Sequence, residues 1–415
     1  MEKSPGIIVF RNAKIIDGTG ADPKEGATVV IEGERIKEVA TGGAGVLPQN
    51  ARIIDCRGYS LLPGLIDGHV HNAAAEADLS EQQRRNYASI LVIRTLKIMR
   101  ECLDQGFTAV RDCGGVDAGF RIAVDQGLVS GPRLSVSGCP LSMTGGHGDF
   151  RLSTEIYSPV AQSAGLASIV ADGVDDCRRA SREQLRRGVD FIKVMAGGGC
   201  MSPADEVDTS QYSVDELRAV VWEAQAAGTY VAAHCYSDRS ILNCIEAGIR
   251  TIEHGNLMTE AAARRMKEAG AMLVPTMVTY EMISKMGPEL GVPDRYVQKI
   301  REAGEKAEDA LAIALRAGVT IASGSDLLGP MQAYKAMELV LQARVMGPMG
   351  AIVAATKTNA QLIRREKDLG TIEPGKLADL ILVAGDPLKD IGVLQQYREK
   401  IVMVMQGGRF YKDIL

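Results

Sequence analysis

The sequence has no concentration of positive charge. Its 47 Lys and Arg are spread among 52 Asp and Glu, for a formal charge of −5 over 415 residues. Without a basic stripe there is no electrostatic footprint for nucleic acid or anionic lipid, which argues against a polyanionic partner. No apolar run approaches the ~20 residues of a membrane helix. Met1 to Phe10 carries one Lys and a four-residue apolar run, too short for a secretory h-region. The expectation is a soluble, unexported, cytoplasmic protein. Disulfide signatures are missing too. Eight cysteines (Cys56, Cys102, Cys113, Cys139, Cys177, Cys200, Cys235, Cys244) occur without a CxxC pair, the pattern of reduced, buried thiols. Low-complexity segments and short repeats are absent. What is present is an ordinary folded composition, 46% apolar and 24% charged, enough for one large domain plus a smaller one.

The two ends of the chain read alike. Gly6 to Ile16, Ala27 to Glu32, Arg35 to Ala40 and Arg52 to Asp55 are short strand candidates separated by turn residues. Ala378 to Val383 and Ile401 to Met405 repeat that style near the C-terminus. Both ends are β-rich and suited to pair. Between them, apolar strand candidates alternate with amphipathic stretches such as Tyr87 to Gln105, Val214 to Ala227, Thr259 to Ala269 and Arg301 to Ala317. The strand candidates end near His69, Asp112, Gly138, Lys193, His234, His254, Pro275 and Ser325. Eight βα units in some three hundred residues favour a closed (β/α)8 TIM barrel over an open parallel sheet. The expected division is a small β-sandwich from residues 1–62 and 369–415, and a barrel over 63–368. Two stretches, Gly197 to Tyr212 and Val278 to Val297, read as loops longer than closure needs, the kind that carry substrate contacts.

Histidine is scarce, five in all, and its placement is the informative feature. His69 and His71 lie in Gly-Leu-Ile-Asp-Gly-His-Val-His, His234 in Val-Ala-Ala-His-Cys-Tyr and His254 in Thr-Ile-Glu-His-Gly-Asn, all at strand ends. His147 follows the third strand in a loop. The C-terminal strand ends are where barrels place their chemistry. Residues two apart in a strand face the same side, so His69 and His71 suit one metal ion. Asp326, at the end of the eighth strand, closes the ring beside the first and supplies an oxygen ligand or a base. Lys193 ends the fourth strand amid apolar neighbours. On its own such a lysine reads as half of a buried ion pair or as a snorkelling side chain.

Leu62-Pro63-Gly64-Leu65-Ile66-Asp67-Gly68-His69-Val70-His71 and Gly370-Thr371-Ile372-Glu373-Pro374-Gly375-Lys376-Leu377-Ala378-Asp379-Leu380 resemble the flanking signatures of the amidohydrolase superfamily. The chain is most similar to the branch of imidazolonepropionase-like proteins and metal-dependent, prolidase-like dipeptidases. The resemblance implies two divalent metal ions, His69, His71 and Asp326 on the buried one and His234 and His254 on the more exposed one. It also implies an N6-carboxylated Lys193 bridging both. A hydroxide shared by two metals is a nucleophile near neutral pH, and Asp326 can carry its proton to the leaving nitrogen. Four imidazoles with oxygen ligands suit zinc.

The branch implies amide hydrolysis, most specifically of L-Xaa-L-Pro dipeptides. Asp205 and Glu206 either read a cationic side chain, giving an Xaa-Arg or Xaa-Lys dipeptidase, or are simply solvated. An imidazolonepropionase-like hydrolase of a cyclic amide is a further alternative, against which Lys193 counts, since that enzyme uses one metal and lacks the lysine. A non-catalytic scaffold is disfavoured because all six ligand positions are filled. His147 is expected to donate to the substrate carbonyl as it becomes an oxyanion. Tyr236 is either an anchor for a substrate carboxylate or a core aromatic. Arg111 and Asp112 read as a supporting pair or an ordinary salt bridge, Glu253 as a structural carboxylate, and Gly197-Gly198-Gly199 as close backbone packing rather than a phosphate cradle. The expected partner is a small molecule, and homo-oligomers are common among barrels of this kind.

Overall fold

The strand candidates at the two ends of the chain join in one sheet. In the computed structural model, which describes residues 6–41, 50–157 and 167–415, Ile7–Ile15 runs antiparallel to Lys24–Glu32 and parallel to Arg52–Asp55 and Tyr59–Pro63. Tyr59–Pro63 pairs antiparallel with Leu380–Ala384, which continues through Ile401–Gln406 to Arg409–Asp413. With Arg35–Ala40 at the far edge this makes an eight-stranded sheet from both termini. Alternation along the strands explains its burial. Phe10, Ile31, Leu61, Leu382 and Met405 enter one apolar cluster. Leu62, Ile381, Val383 and Val404, on the opposite face, enter another with Leu339 and Ile352. Each such side chain contributes about 1.5–3 kcal/mol by leaving water.

Two units divide the chain: Met1–Asp67 with Arg100–Ala109 and Lys335–Leu415, and Gly68–Met99 with Val110–Tyr334. The first holds a feature the sequence reading did not anticipate. Met337–Leu362 is a helical run long and apolar enough, by length and composition, to cross a membrane. It is not one continuous helix, because Gly347 (φ 71°, ψ 163°) and Pro348 break it, and Ala354–Thr358 widens to a π turn.

In the second unit a seven-stranded parallel sheet runs in the order Ile169–Val170, Leu141–Ser142, Ile192–Met195, Val231–Ser237, Thr251–Leu257, Met272–Val274, Thr320–Ile321. A three-stranded sheet is made by Leu65–Val70, Phe107–Asp112 and Arg133–Val136. The eight expected strand ends all fall on these strands or within a few residues of them. Backbone hydrogen bonds run from Gly68 N to Ser323 O (2.7 Å) and from Asp326 N to His69 O (2.8 Å). At the other edge Asp190 N donates to Val136 O (2.8 Å).

Helices follow the strands, with two corrections. The stretch 278–297, expected as a loop, is mostly helical: Met277–Met286 buries Val278, Tyr280, Met282 and Ile283, and a second helix, Asp294–Gly304, begins after Pro293. Gly287, Pro288, Gly291 and Pro293 lent the stretch a loop-like composition, but they occupy only the turn between the helices. The helix expected over Arg301 to Ala317 likewise breaks at Glu305 and Lys306, where Asp294–Gly304 ends and Ala307–Ala317 begins. All eight cysteines are buried free thiols.

Candidate metal centre

The parallel register determines which side chains meet. Met195 lies opposite His234, and Cys235 opposite His254. Every second residue faces the same way, so His69 with His71, Lys193 with Met195, and His234 with Tyr236 line one cavity. His147, His254, Asp326, Cys200, Met201, Leu79, Thr279, Ile283, Ile300 and Leu328 complete it. The space, mouth included, is about 500 Å³, the scale of a small-molecule site. All six expected ligands and both expected substrate contacts are therefore brought together. The rings form a continuous chain, with centroids 5.3 Å apart for His69 and His71, 5.2 Å for His69 and His254, 4.6 Å for His254 and His234, and 4.1 Å for His234 and His147.

One nitrogen of each ring is committed elsewhere. His69 Nδ1 lies 2.7 Å from Glu253 Oε2 and His71 Nδ1 2.7 Å from Gly114 O. Both partners accept only, so both Nδ1 atoms carry hydrogen and both Nε2 atoms are bare in the neutral rings. Those bare atoms face Asp326 Oδ1, at 3.6 Å from His69 and 3.3 Å from His71. Two lone pairs and a carboxylate converging on one point repel each other unless a cation or a proton lies between them. The donor set therefore fits a divalent metal. One ligand atom from each of these three residues lies within 4.8 Å of the others. His234 gives Nε2 to Gly198 O (3.0 Å), leaving Nδ1 free, and His254 Nδ1 meets Thr276 Oγ1 at 2.7 Å. A second grouping, His69, Cys113 and Glu253, offers no such vacancy, because Arg111 already neutralises Glu253 at 2.6 Å.

Electrostatics follow the same geometry. Burial lowers His69 and His234 well below 6.5 and His254 to about 3, with Lys193 adding to each. His147 is also lowered by burial, against the pull of Asp205 and Asp326. His71 is the exception: burial opposes its charge, but the hydrogen bond and charge of Asp326 carry it above 6.5. Burial likewise opposes ionisation of Asp326, yet His69, His71 and His254 hold it well below the usual carboxylate range. Three residues here adopt left-handed backbone: His254 (φ 75°), Thr276 (φ 49°) and Asp326 (φ 50°). For β-branched Thr276 this costs on the order of 1–3 kcal/mol, and it brings the hydroxyl to His254. Gly324 is required beside them, since a Cβ there would lie 2.6 Å from the Cβ of His69.

Lys193 is buried, 1% exposed, and among the described residues it forms no ion pair, which removes the salt-bridge reading. Arg111 and Asp112 do not pair with each other. Arg111 reaches Glu253, Thr251 and Gly68 O, while Asp112 accepts from Asn72, Gly114 and Val116 and is raised by burial to about 6. Glu253 orients His69 as well as serving as a structural carboxylate, a role its position beside His254 did not reveal. Gly114 and Thr276 left no signal in the sequence, because they act through a carbonyl and through a hydroxyl that tertiary folding alone brings near. Tyr236 lines the cavity, and its hydroxyl accepts from Tyr280 (3.1 Å) and more weakly from Cys200 (3.7 Å).

The chain belongs to the amidohydrolase family, whose model matches residues 60–410. It is a hydrolase of that family, which acts on amide bonds. Ochratoxinase from Aspergillus niger is 32% identical over 365 residues, 85% of this chain and 75% of its own length. A prolidase solved in complex with N-methylphosphonate-L-proline is 43% identical, with a TM-score of 0.94 over 98% of this chain and 100% of that one. A Xaa-Pro dipeptidase solved with methionine in its active site is 30% identical, with a TM-score of 0.88 over 98% and 100%.

Proposed function

We propose that the protein is a binuclear dipeptidase that hydrolyses L-Xaa-L-Pro, with zinc as the metal. His69, His71 and Asp326 would hold one cation and His234 and His254 the other. Lys193, carboxylated on Nζ, would bridge them. The observation that carries the reading is Lys193 itself: a buried amine facing the imidazoles, with no acid within ion-pair distance among the described residues, is costly unless it becomes an anion held by cations. When bound, the two ions supply Lewis acidity that activates water near neutral pH and polarises the amide carbonyl. Asp326, kept ionised by its neighbours, takes the proton of the attacking water and delivers it to the departing prolyl nitrogen. His147 lines the same cavity, with Nδ1 engaged by Ser202 and Nε2 left for the substrate. Tyr236, whose oxygen already accepts two bonds, has its own proton left for a substrate carboxylate.

The rest of the cavity supports a neutral, compact substrate. Met195, Met201, Ile283, Ile300 and Leu328 make an apolar wall. Asp205 does not read a cation: it is buried and occupied by Gly199 N, Ser202 and Gln211, while Glu206 points to solvent. This disfavours Xaa-Arg and Xaa-Lys. The likeness to ochratoxinase, together with the same wall, supports as a second reading an apolar amide other than a dipeptide. The bonds joining Gly68, His69 and Val136 to the parallel strands support closure of these strands into a (β/α)8 barrel. A dipeptide library on zinc-loaded protein tests the assignment. Turnover of Xaa-Pro above Xaa-Arg and Xaa-Lys is expected, and no turnover of any dipeptide rejects a peptidase.

A further inference from the structure

The loop after the fourth strand carries a hydrogen-bonded chain that ends on His147. His147 Nδ1 lies 2.8 Å from Ser202 Oγ, and the Ser202 hydroxyl in turn makes a short bond to Asp205 Oδ1. Asp205 is anchored through its other oxygen, which accepts from Gly199 N (3.0 Å) and Gln211 Nε2 (2.7 Å). Gln211 Oε1 then accepts from His147 N at 3.0 Å, closing the circuit. Lys299, from the helix Asp294–Gly304, clamps the same loop by donating to Gly199 O (3.2 Å) and Asp205 O (2.5 Å). The edge of the imidazole that carries Nδ1 lies flat against Gly199, where a Cβ would come within 2.0 Å of Nδ1.

A hydroxyl has one proton and a carboxylate has none to give. The Ser202 proton goes to Asp205; the next nearest group, Gly199 O at 3.5 Å, is also only an acceptor. Ser202 can therefore offer His147 nothing but a lone pair, and Nδ1 must be the nitrogen that bears hydrogen. We infer that Ser202 and Asp205 are positioning residues that lock His147 in the Nδ1–H tautomer, so that it meets the substrate through Nε2 as a hydrogen-bond acceptor and not as the donor to the carbonyl oxygen that the sequence suggests. Neither residue touches the cavity's reacting groups, and each acts through the ring it orients.

The kinetic side of this inference rests on the dipeptidase reading, whereas the spectroscopic side needs no substrate. Zinc-loaded, diamagnetic protein labelled with 15N-histidine is examined by long-range proton–nitrogen correlation, with His147 assigned by its disappearance in His147→Asn. The expected spectrum shows a protonated Nδ1 and a bare Nε2. Ser202→Ala should collapse that pattern into a mixture of tautomers and lower kcat for Xaa-Pro roughly 10–100-fold with KM little changed and zinc content intact. Ser202→Thr, which keeps the hydroxyl, should restore both. A protonated Nε2 in the unsubstituted protein overturns the inference even if the variants do not fold, and so does a tautomer unaffected by Ser202→Ala. Loss of dipeptide turnover with the tautomer pattern as expected would count against the dipeptidase reading alone.

Discussion

Glu253 Oε2 stands between His69 Nδ1, at 2.7 Å, and Arg111 Nη2, at 2.6 Å, with all three side chains excluded from solvent. One carboxylate thus fixes the tautomer of His69 and neutralises a buried guanidinium, while Thr251 donates to its other oxygen at 2.7 Å. Glu253→Gln keeps the shape and removes the charge. Metal affinity is expected to fall roughly 10–100-fold, and stability by about 3–5 kcal/mol, because Arg111 is left buried without its counter-ion. Metal titration and denaturant unfolding read the two effects, and an unchanged affinity would show that His69 is oriented by something else.

Lys193→Met separates a metal bridge from a structural lysine. The zinc-loaded protein should lose its second ion by elemental analysis, along with nearly all activity. The metal-free protein should gain about 1–3 kcal/mol, the usual cost of a buried donor left unsatisfied. Full activity in this variant would remove Lys193 from the site.

The raised pKa of His71 predicts the proton balance of metal binding. Above 6.5 the buried His69, His234 and His254 are already neutral, whereas His71 still holds a proton shared with Asp326. Its contribution to the metal-free fold is complete below 6.5 and is lost as pH rises through the folded value. The lowered histidines act oppositely: what they contribute is present above 6.5 and fades as pH falls toward the value of about 3 at His254. The stability of chelator-treated protein should therefore peak near the ordinary histidine value of about 6.5, and His71→Gln should flatten the alkaline limb. Zinc entering the His69 and His71 position must displace the His71 proton, so affinity falls with falling pH and binding at about pH 6.5 releases a proton from His71. Calorimetry in buffers of different ionisation enthalpy counts it, and a release of none would contradict the assigned geometry.

Tyr236→Phe tests the carboxylate anchor. A hydrogen bond to a charged group is worth about 1.5–3 kcal/mol, so KM for a dipeptide should rise at least tenfold while kcat changes little. A substrate amidated at its C-terminus should be indifferent to the substitution. Equal losses on both substrates would return Tyr236 to a packing role.

The sequence alone determined which residues gather at the strand ends and which strands carry them. His-x-His, the strand-end histidines, Asp326 and Lys193 were legible because period-two alternation and apolar runs are local properties. The pairing of the two β-rich ends was legible for the same reason. Local composition misled where Gly and Pro crowd a turn between helices, as at 287–293, and it did not disclose the 26-residue helical run Met337–Leu362. Tertiary structure alone decided which nitrogen of each histidine is engaged, because Glu253, Gly114, Gly198, Thr276 and Ser202 reach those rings from distant loops and strands. It also turned Asp205 from an apparent substrate contact into the buried anchor of a loop. A carboxylate's role depends on what surrounds it, and in this chain the donors around Asp205 come together only on folding.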